Sequence, residues 1–143
     1  MAVNLSQIHE APIPPHLQAP VLLPAGETAL EYICHEIGSQ FKRGVLTVWF
    51  SALEYDRVAL PRYYNVDLRE KNSFVPRRGG DLVSDFQRVF NEPIGRLDRF
   101  PMHWLKRTTL QGEIGSVVTD YKKEKRNPNT QYSVVRKLLK ICQ

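Results

Sequence analysis

ETALEYICHEIGSQFKRGVLTVWFSAL, residues 27–53, decides the fold class. Successive side chains of a strand point to opposite faces, so apolar residues at every second position mark a strand with one buried side. Residues 45–53 obey that rule, with Leu46, Val48, Phe50 and Ala52 on one face and Trp49 on the other. The earlier run places Leu30, Tyr32 and Cys34 on one face, although Leu30, Ile33 and Ile37 also fall near helical spacing. With FKRG as a turn between them, the two runs suit an antiparallel hairpin.

Working outward, RYYNVDL gives a third strand, with Tyr64, Val66 and Leu68 on one side and Tyr63, Asn65 and Asp67 on the other. Pro61 is expected at its entrance, where a strand tolerates a missing amide donor. The period then changes. Leu82, Val83, Phe86, Val89 and Phe90 recur at three- and four-residue intervals, predicting a helix near 81–91 with Asp81 as N-cap and Pro93 as its stop. After the irregular stretch RFPMHWLKR, GEIGSVVTDYKKEK reads as a fourth strand. QYSVVRKLLKI reads as a fifth, or as a helix lined by Val134, Val135, Leu138, Leu139 and Cys142. Gly112 and Gly115 are expected at bulges or close backbone approaches.

Upstream, five of the ten prolines fall within residues 1–24. Fixed φ angles and absent donors keep such a stretch out of helix and sheet, so residues 1–25 read as a flexible proline-rich arm. Its apolar members Ile13, Leu17, Val21, Leu22 and Leu23 offer an alternative, docking on the body. Residues 26–143 then form a single β-rich domain.

The net charge of +5 is unevenly spread: residues 1–100 hold 11 Lys and Arg against 12 Asp and Glu, whereas residues 101–143 hold 9 against 3. Local basicity of this kind suits a polyanionic partner, because neutralising phosphates releases condensed counterions. Two cysteines make no disulfide framework, and no Cys/His cluster has zinc spacing. The chain shows no P-loop, no GxGxxG and no apolar run of membrane-spanning length, so a cytoplasmic protein without cofactor is expected.

Three strands, one helix and two strands, over residues 27–141, resemble in element order the OB-fold superfamily of nucleic-acid-binding proteins, a five-stranded barrel with a helix between strands three and four. The fragments LPRYYNV and YSVV also resemble small proteins of bacterial phages and plasmids. The first resemblance implies binding of single-stranded DNA or RNA. Trp49 and Tyr63, opposite the core residues of their strands, and Tyr121 would stack bases. Lys122, Lys123, Lys125, Arg126 and Arg136 would contact phosphates, and Arg77 and Arg78, before two glycines and a helix N-terminus, form a further cationic cluster.

Each feature has a plainer reading. Trp49 can cover a second apolar layer formed by the arm, Arg77 and Arg78 can belong to an ordinary loop, and residues 122–126 can be a solubilising hairpin tip. Arg136, Lys137 and Lys140 can guard an edge against unwanted pairing. Met102 and Trp104, with Arg99, Lys106 and Arg107 nearby, have the composition of a protein-binding hot spot or of a short helix plugging a barrel end. A protein-interaction module, an inhibitor or adaptor with a basic surface, is therefore the main rival, and a homodimer is compatible with either reading. Asp120 and Lys122 have the acid-x-Lys spacing of metal-dependent nucleases, with Asp98 or Glu113 as the further carboxylate. Duplex readout is disfavoured because the helix carries Arg88 as its only base.

Overall fold

The computed structural model describes residues 21–40, 43–117 and 131–142. Six strands form one antiparallel sheet: β1 (Gly26–Gln40), β2 (Arg43–Ala52), β3 (Val58–Arg69), β4 (Ser73–Pro76), β5 (Leu110–Val117) and β6 (Tyr132–Ile141), in spatial order β4-β3-β2-β1-β5-β6. One helix, α1 (Asp81–Phe90), and two 3-10 turns, Leu97–Arg99 and Met102–Arg107, lie between β4 and β5. Both open helix-or-strand choices resolve as strands, at residues 27–36 and 132–141.

The alternation expected in β2 is present: Leu46, Val48, Phe50 and Ala52 are fully buried while Val45, Thr47, Trp49 and Ser51 are not. Their inner face meets Leu30 of β1, Leu60, Tyr64 and Val66 of β3, and Leu110 and Ile114 of β5. Val135 and Leu138 of β6 and Leu82, Phe86 and Val89 of α1 complete this core. Each such side chain contributes about 1.5–3 kcal/mol when buried.

In β1 the strict alternation fails. A β-bulge at Ile33 sets Tyr32 opposite Phe50 but Cys34 opposite Trp49, so Cys34 leaves the inner face, and His35 and Ile37 take it instead. One extra residue in a strand reverses the facing of everything beyond it. Leu68 also departs from its expected burial. It is 41% exposed near the end of β3.

The five-stranded barrel becomes a six-stranded sheet that does not close. β4 was not foreseen; it forms because Lys71 and Asn72 adopt positive φ (59° and 56°), turning the chain back onto residues 66–69 of β3. Without β4, the outer strands are β3 and β6, and these pack side by side with no hydrogen-bonded ladder between them. Pro61 supplies one reason. It lies inside β3 rather than at the entrance, and a proline inside a strand removes a ladder donor and confines that strand to an edge.

Other groups occupy the unpaired edge of β6. The Ser133 amide donates to the Val21 carbonyl at 2.8 Å, and the Leu23 amide donates to Ser133 Oγ at 2.7 Å. Val21 and Leu23 pack against the core, so residues 21–25 include a docked portion of the proline-rich stretch; residues 1–20 lie outside the described residues.

The helix closes the rest of the seam. Its N-cap is Gly80 rather than Asp81, and Asn91, in left-handed conformation (φ 50°), ends it two residues before Pro93. Asp85, 2% exposed, points into the core and accepts hydrogen bonds from Arg62 Nε of β3 at 3.2 Å, Tyr64 Oη at 2.6 Å and Arg88 at 2.9 Å. Arg88 also donates to the Leu138 carbonyl of β6 at 2.8 Å. The Arg62 guanidinium carbon stands 4.4 Å from the Tyr64 ring centroid, which adds a cation–π contact to the pair.

Breaking a buried ion pair from one side leaves an uncompensated charge and costs about 3–5 kcal/mol. Asp85→Ala is therefore expected to lower unfolding free energy by that amount in urea melts, whereas Gln87→Ala, on the exposed side of the same helix, should change it by no more than about 0.5 kcal/mol.

A second prediction concerns pH. Tyr32 Oη and His35 Nδ1 are 2.7 Å apart, and burial, then the Lys106 charge, hold the His35 pKa below its ordinary value of 6.5. The unfolded chain then binds this proton more readily, so stability falls as pH drops through the unfolded value. Urea midpoints should decline more between about pH 7.5 and about pH 5.5 in the native chain than in His35→Phe; equal declines would count against the assignment.

Candidate nucleic-acid interface

The inner face of β2 and β3 is consumed by the core, which leaves their outer face for function. Trp49 stands opposite Pro61, and Tyr63 opposite Thr47, so the two rings are diagonal neighbours on adjoining strands. Side chains at such positions lie about 7–8 Å apart, within reach of one flexible polymer. The bulge at Ile33 extends this outer surface onto β1, with Cys34 opposite Trp49 and Glu36 opposite Thr47.

The two rings differ in setting. Tyr63 is 42% exposed, and its pKa is pushed up to about 12, first by partial burial and then by Tyr132 and Glu36. β6 packs beside β3, and its first residue, Tyr132, lies close enough to Tyr63 to act on it. Trp49 is half-buried; its indole Nε1 is shielded from solvent and has no hydrogen-bond acceptor among the described residues.

The cationic groups are more dispersed. Arg77, just after β4, has its Nε 3.6 Å from Asp67 Oδ1, so part of its charge is spent within the protein. Arg78 is exposed and lines a cavity of about 250 Å³ with Gly79, Val83, Gln87, Ile94, Gly95 and Leu97. Asp81 in the first turn of α1 keeps negative charge at that end. Arg136, at a bulge of β6, donates to the Ser116 carbonyl at 2.7 Å and is exposed. Gly115 makes room for it, since a Cβ there would stand 2.5 Å from Arg136 Nε. Gly112 lies at another bulge of the same pair of strands.

Tyr121, Lys122, Lys123, Lys125 and Arg126 lie outside the described residues, as does Asp120. Of the carboxylates proposed to accompany Asp120, Asp98 is paired with Arg96 at 2.6 Å in the first 3-10 turn, and Glu113 is exposed on β5. Among the described residues no group of three His, Cys, Asp or Glu side chains is placed to hold a metal ion. Among those residues, too, no helix is long and apolar enough to cross a membrane.

Met102 and Trp104 are half-buried against the aromatic cluster of α1. Trp104 stacks near Phe86 (centroids 6.3 Å apart) and meets Phe90 edge-on at 5.5 Å, while Phe100 lies 4.6 Å from Phe86. Both Met102 and Trp104 pack against the core at the foot of α1.

The polar cluster Arg62, Tyr64, Asp85 and Arg88 went unread as a unit. Its signal was present: alternation carried back from Tyr64 puts Arg62 on the inner face, and Asp85 shares the apolar face of α1 with Leu82, Phe86 and Val89. A charge on each of two buried faces predicts that they meet. Comparison with protein-family models, with curated proteins and with solved structures finds no match for this chain.

Proposed function

We propose that the outer face of β2 and β3 binds single-stranded DNA or RNA, with bases stacked on Trp49 and Tyr63 and phosphates held by cationic side chains around them. The observation that carries this reading is the diagonal placement of two large rings on the outward side of adjoining strands, against a rigid hydrophobic core. Bases stack on such platforms with little sequence preference.

The strand order supports an OB-like reading of the fold. With β4 set aside, the sheet runs β3-β2-β1-β5-β6, β6 returns to β3, and the helix precedes the last two strands. A partly open barrel of this class uses the face of its second and third strands and the loop joining its last two. In this chain that loop holds Tyr121, Lys122, Lys123, Lys125 and Arg126; Arg136 follows on β6, and Arg77 and Arg78 follow β4.

A second reading is favoured by a specific feature. Glu36 adjoins Tyr63, and Asp67 adjoins Arg77, so the immediate surroundings of the rings are close to neutral. Such a face also suits a protein partner, as an inhibitor or adaptor would use.

The test is a titration of Trp fluorescence and anisotropy with an oligothymidylate of about 15 nucleotides at low and high salt. Trp49→Ala is expected to weaken binding by about 1–3 kcal/mol without unfolding the protein. Replacing Lys122 and Lys123 by Gln should reduce the log–log salt slope by about 1.4. Absence of any signal at low salt, together with specific capture of one protein on the immobilised chain, would transfer the face to the second reading.

A further inference from the structure

The outer face of the sheet changes in charge along its strands. Trp49 and Tyr63 stand in its middle. Past Trp49, the turn from β2 to β3 carries Glu54 and Asp56, and Glu31, opposite Ser51, is paired with Arg57 at 3.0 Å. Past Tyr63 the same face carries arginines. Arg43 opens β2 on the side of Thr47 and Trp49, and Arg69 closes β3 on the side of Tyr63.

Register brings these two together. Gly44 stands opposite Val66, so Arg43 falls level with Asp67, two residues short of Arg69. A Cβ at Gly44 would stand 2.5 Å from the Val66 carbonyl oxygen, so glycine is what admits the end of β3 this close to the start of β2. Both arginines are exposed, and neither has a carboxylate partner among the described residues. Arg69 donates only to the adjoining Leu68 carbonyl, and Asp67 is answered by Arg77 at 3.6 Å. The balance of 11 basic against 12 acidic residues over residues 1–100 conceals this separation.

We propose that this end of the sheet is a phosphate-binding site: Arg43 and Arg69 take phosphates of a single strand whose bases stack on Trp49 and Tyr63, so the strand runs along β2 and β3 rather than across them. The site rests on the nucleic-acid reading of the face and gives that reading a direction.

Reach and charge both support it. Strand residues rise about 3.3 Å each, so Arg43 lies about 20 Å along the strand from Trp49, and Arg69 about 20 Å from Tyr63. Single-strand sites on folds of this kind hold about 4–16 nucleotides, enough to cover rings and arginines at once. A polyanion extended toward Glu31, Glu54 and Asp56 meets like charge. Extended the other way, its phosphates are neutralised and release counterions, and a guanidinium pairs with two phosphate oxygens at a time.

The experiment measures binding of a fluorescein-labelled oligothymidylate of about eight nucleotides to the full chain, by anisotropy, between about 50 and about 200 mM salt. Replacing both Arg43 and Arg69 by Gln is expected to reduce the log–log salt slope by about 1.4, so that the variant loses about sevenfold less affinity over that range than the native chain. Replacing both by Lys retains the slope, because charge carries it. Trp49→Ala weakens binding at every salt concentration and leaves the slope unchanged, and Arg57→Gln, at the acidic end, leaves it unchanged too.

An unchanged slope in the double Gln variant, with the oligonucleotide still bound, overturns the proposal and leaves the stacking reading in place. An equal fall in Arg57→Gln also overturns it, since the charge would then act as a general field rather than at a site. No binding by the native chain at about 50 mM salt rejects the nucleic-acid reading, and this site with it.

Discussion

The fold depends on one buried carboxylate. Asp85 is the point where α1, β3 and β6 are joined, through Arg62 and Tyr64 on one side and through Arg88 and the Leu138 carbonyl on the other. A sheet this curled leaves two strand edges facing each other, and edges that neither pair nor carry cover invite other chains. Backbone pairing is the usual solution. Here the Val21 carbonyl takes the Ser133 amide at one end of β6, and towards the other end a side chain, Arg88, answers a carbonyl that a neighbouring strand would otherwise have answered.

Once the seam is fixed by the helix, the bulge at Ile33 decides what stands on the outer surface of the sheet. Without it, His35 would face outward and Cys34 inward. With it, Cys34 and Glu36 join Trp49, Thr47 and Tyr63 on a single surface, while Tyr32 and His35 form a polar pair at the margin of the core. A single inserted residue thus allocates the chemistry of a whole face.

Much of this could be read from residues. The β2 pattern, the Leu82–Phe86–Val89 stripe, and the outward Trp49 and Tyr63 each follow from local periodicity, which sets facing before any tertiary contact exists. What stayed hidden depends on pairs distant in sequence. The bulge in β1 emerges only against β2, and the open seam only when β6 returns to β3. The alternation turns Arg62 inward, but its partner is known only once Asp85, 23 residues on, meets it. β4 was missed for a local reason: Lys71 at positive φ is not a turn residue of the usual kind, and a four-residue strand carries too little alternation to detect.

Charge and rings divide the work of any polyanion site on this surface. The excess of positive charge belongs to residues 101–143, whereas the rings stand on β2 and β3, where Glu36 and Asp67 neutralise much of what Arg77 and its neighbours supply. Were the proposed polyanion bound, long-range attraction would come from the carboxy-terminal third of the chain, since screened charges act over about 10 Å at moderate salt. Stacking acts only at contact. For such a ligand, charge would govern the rate of arrival and the rings its lifetime on the surface.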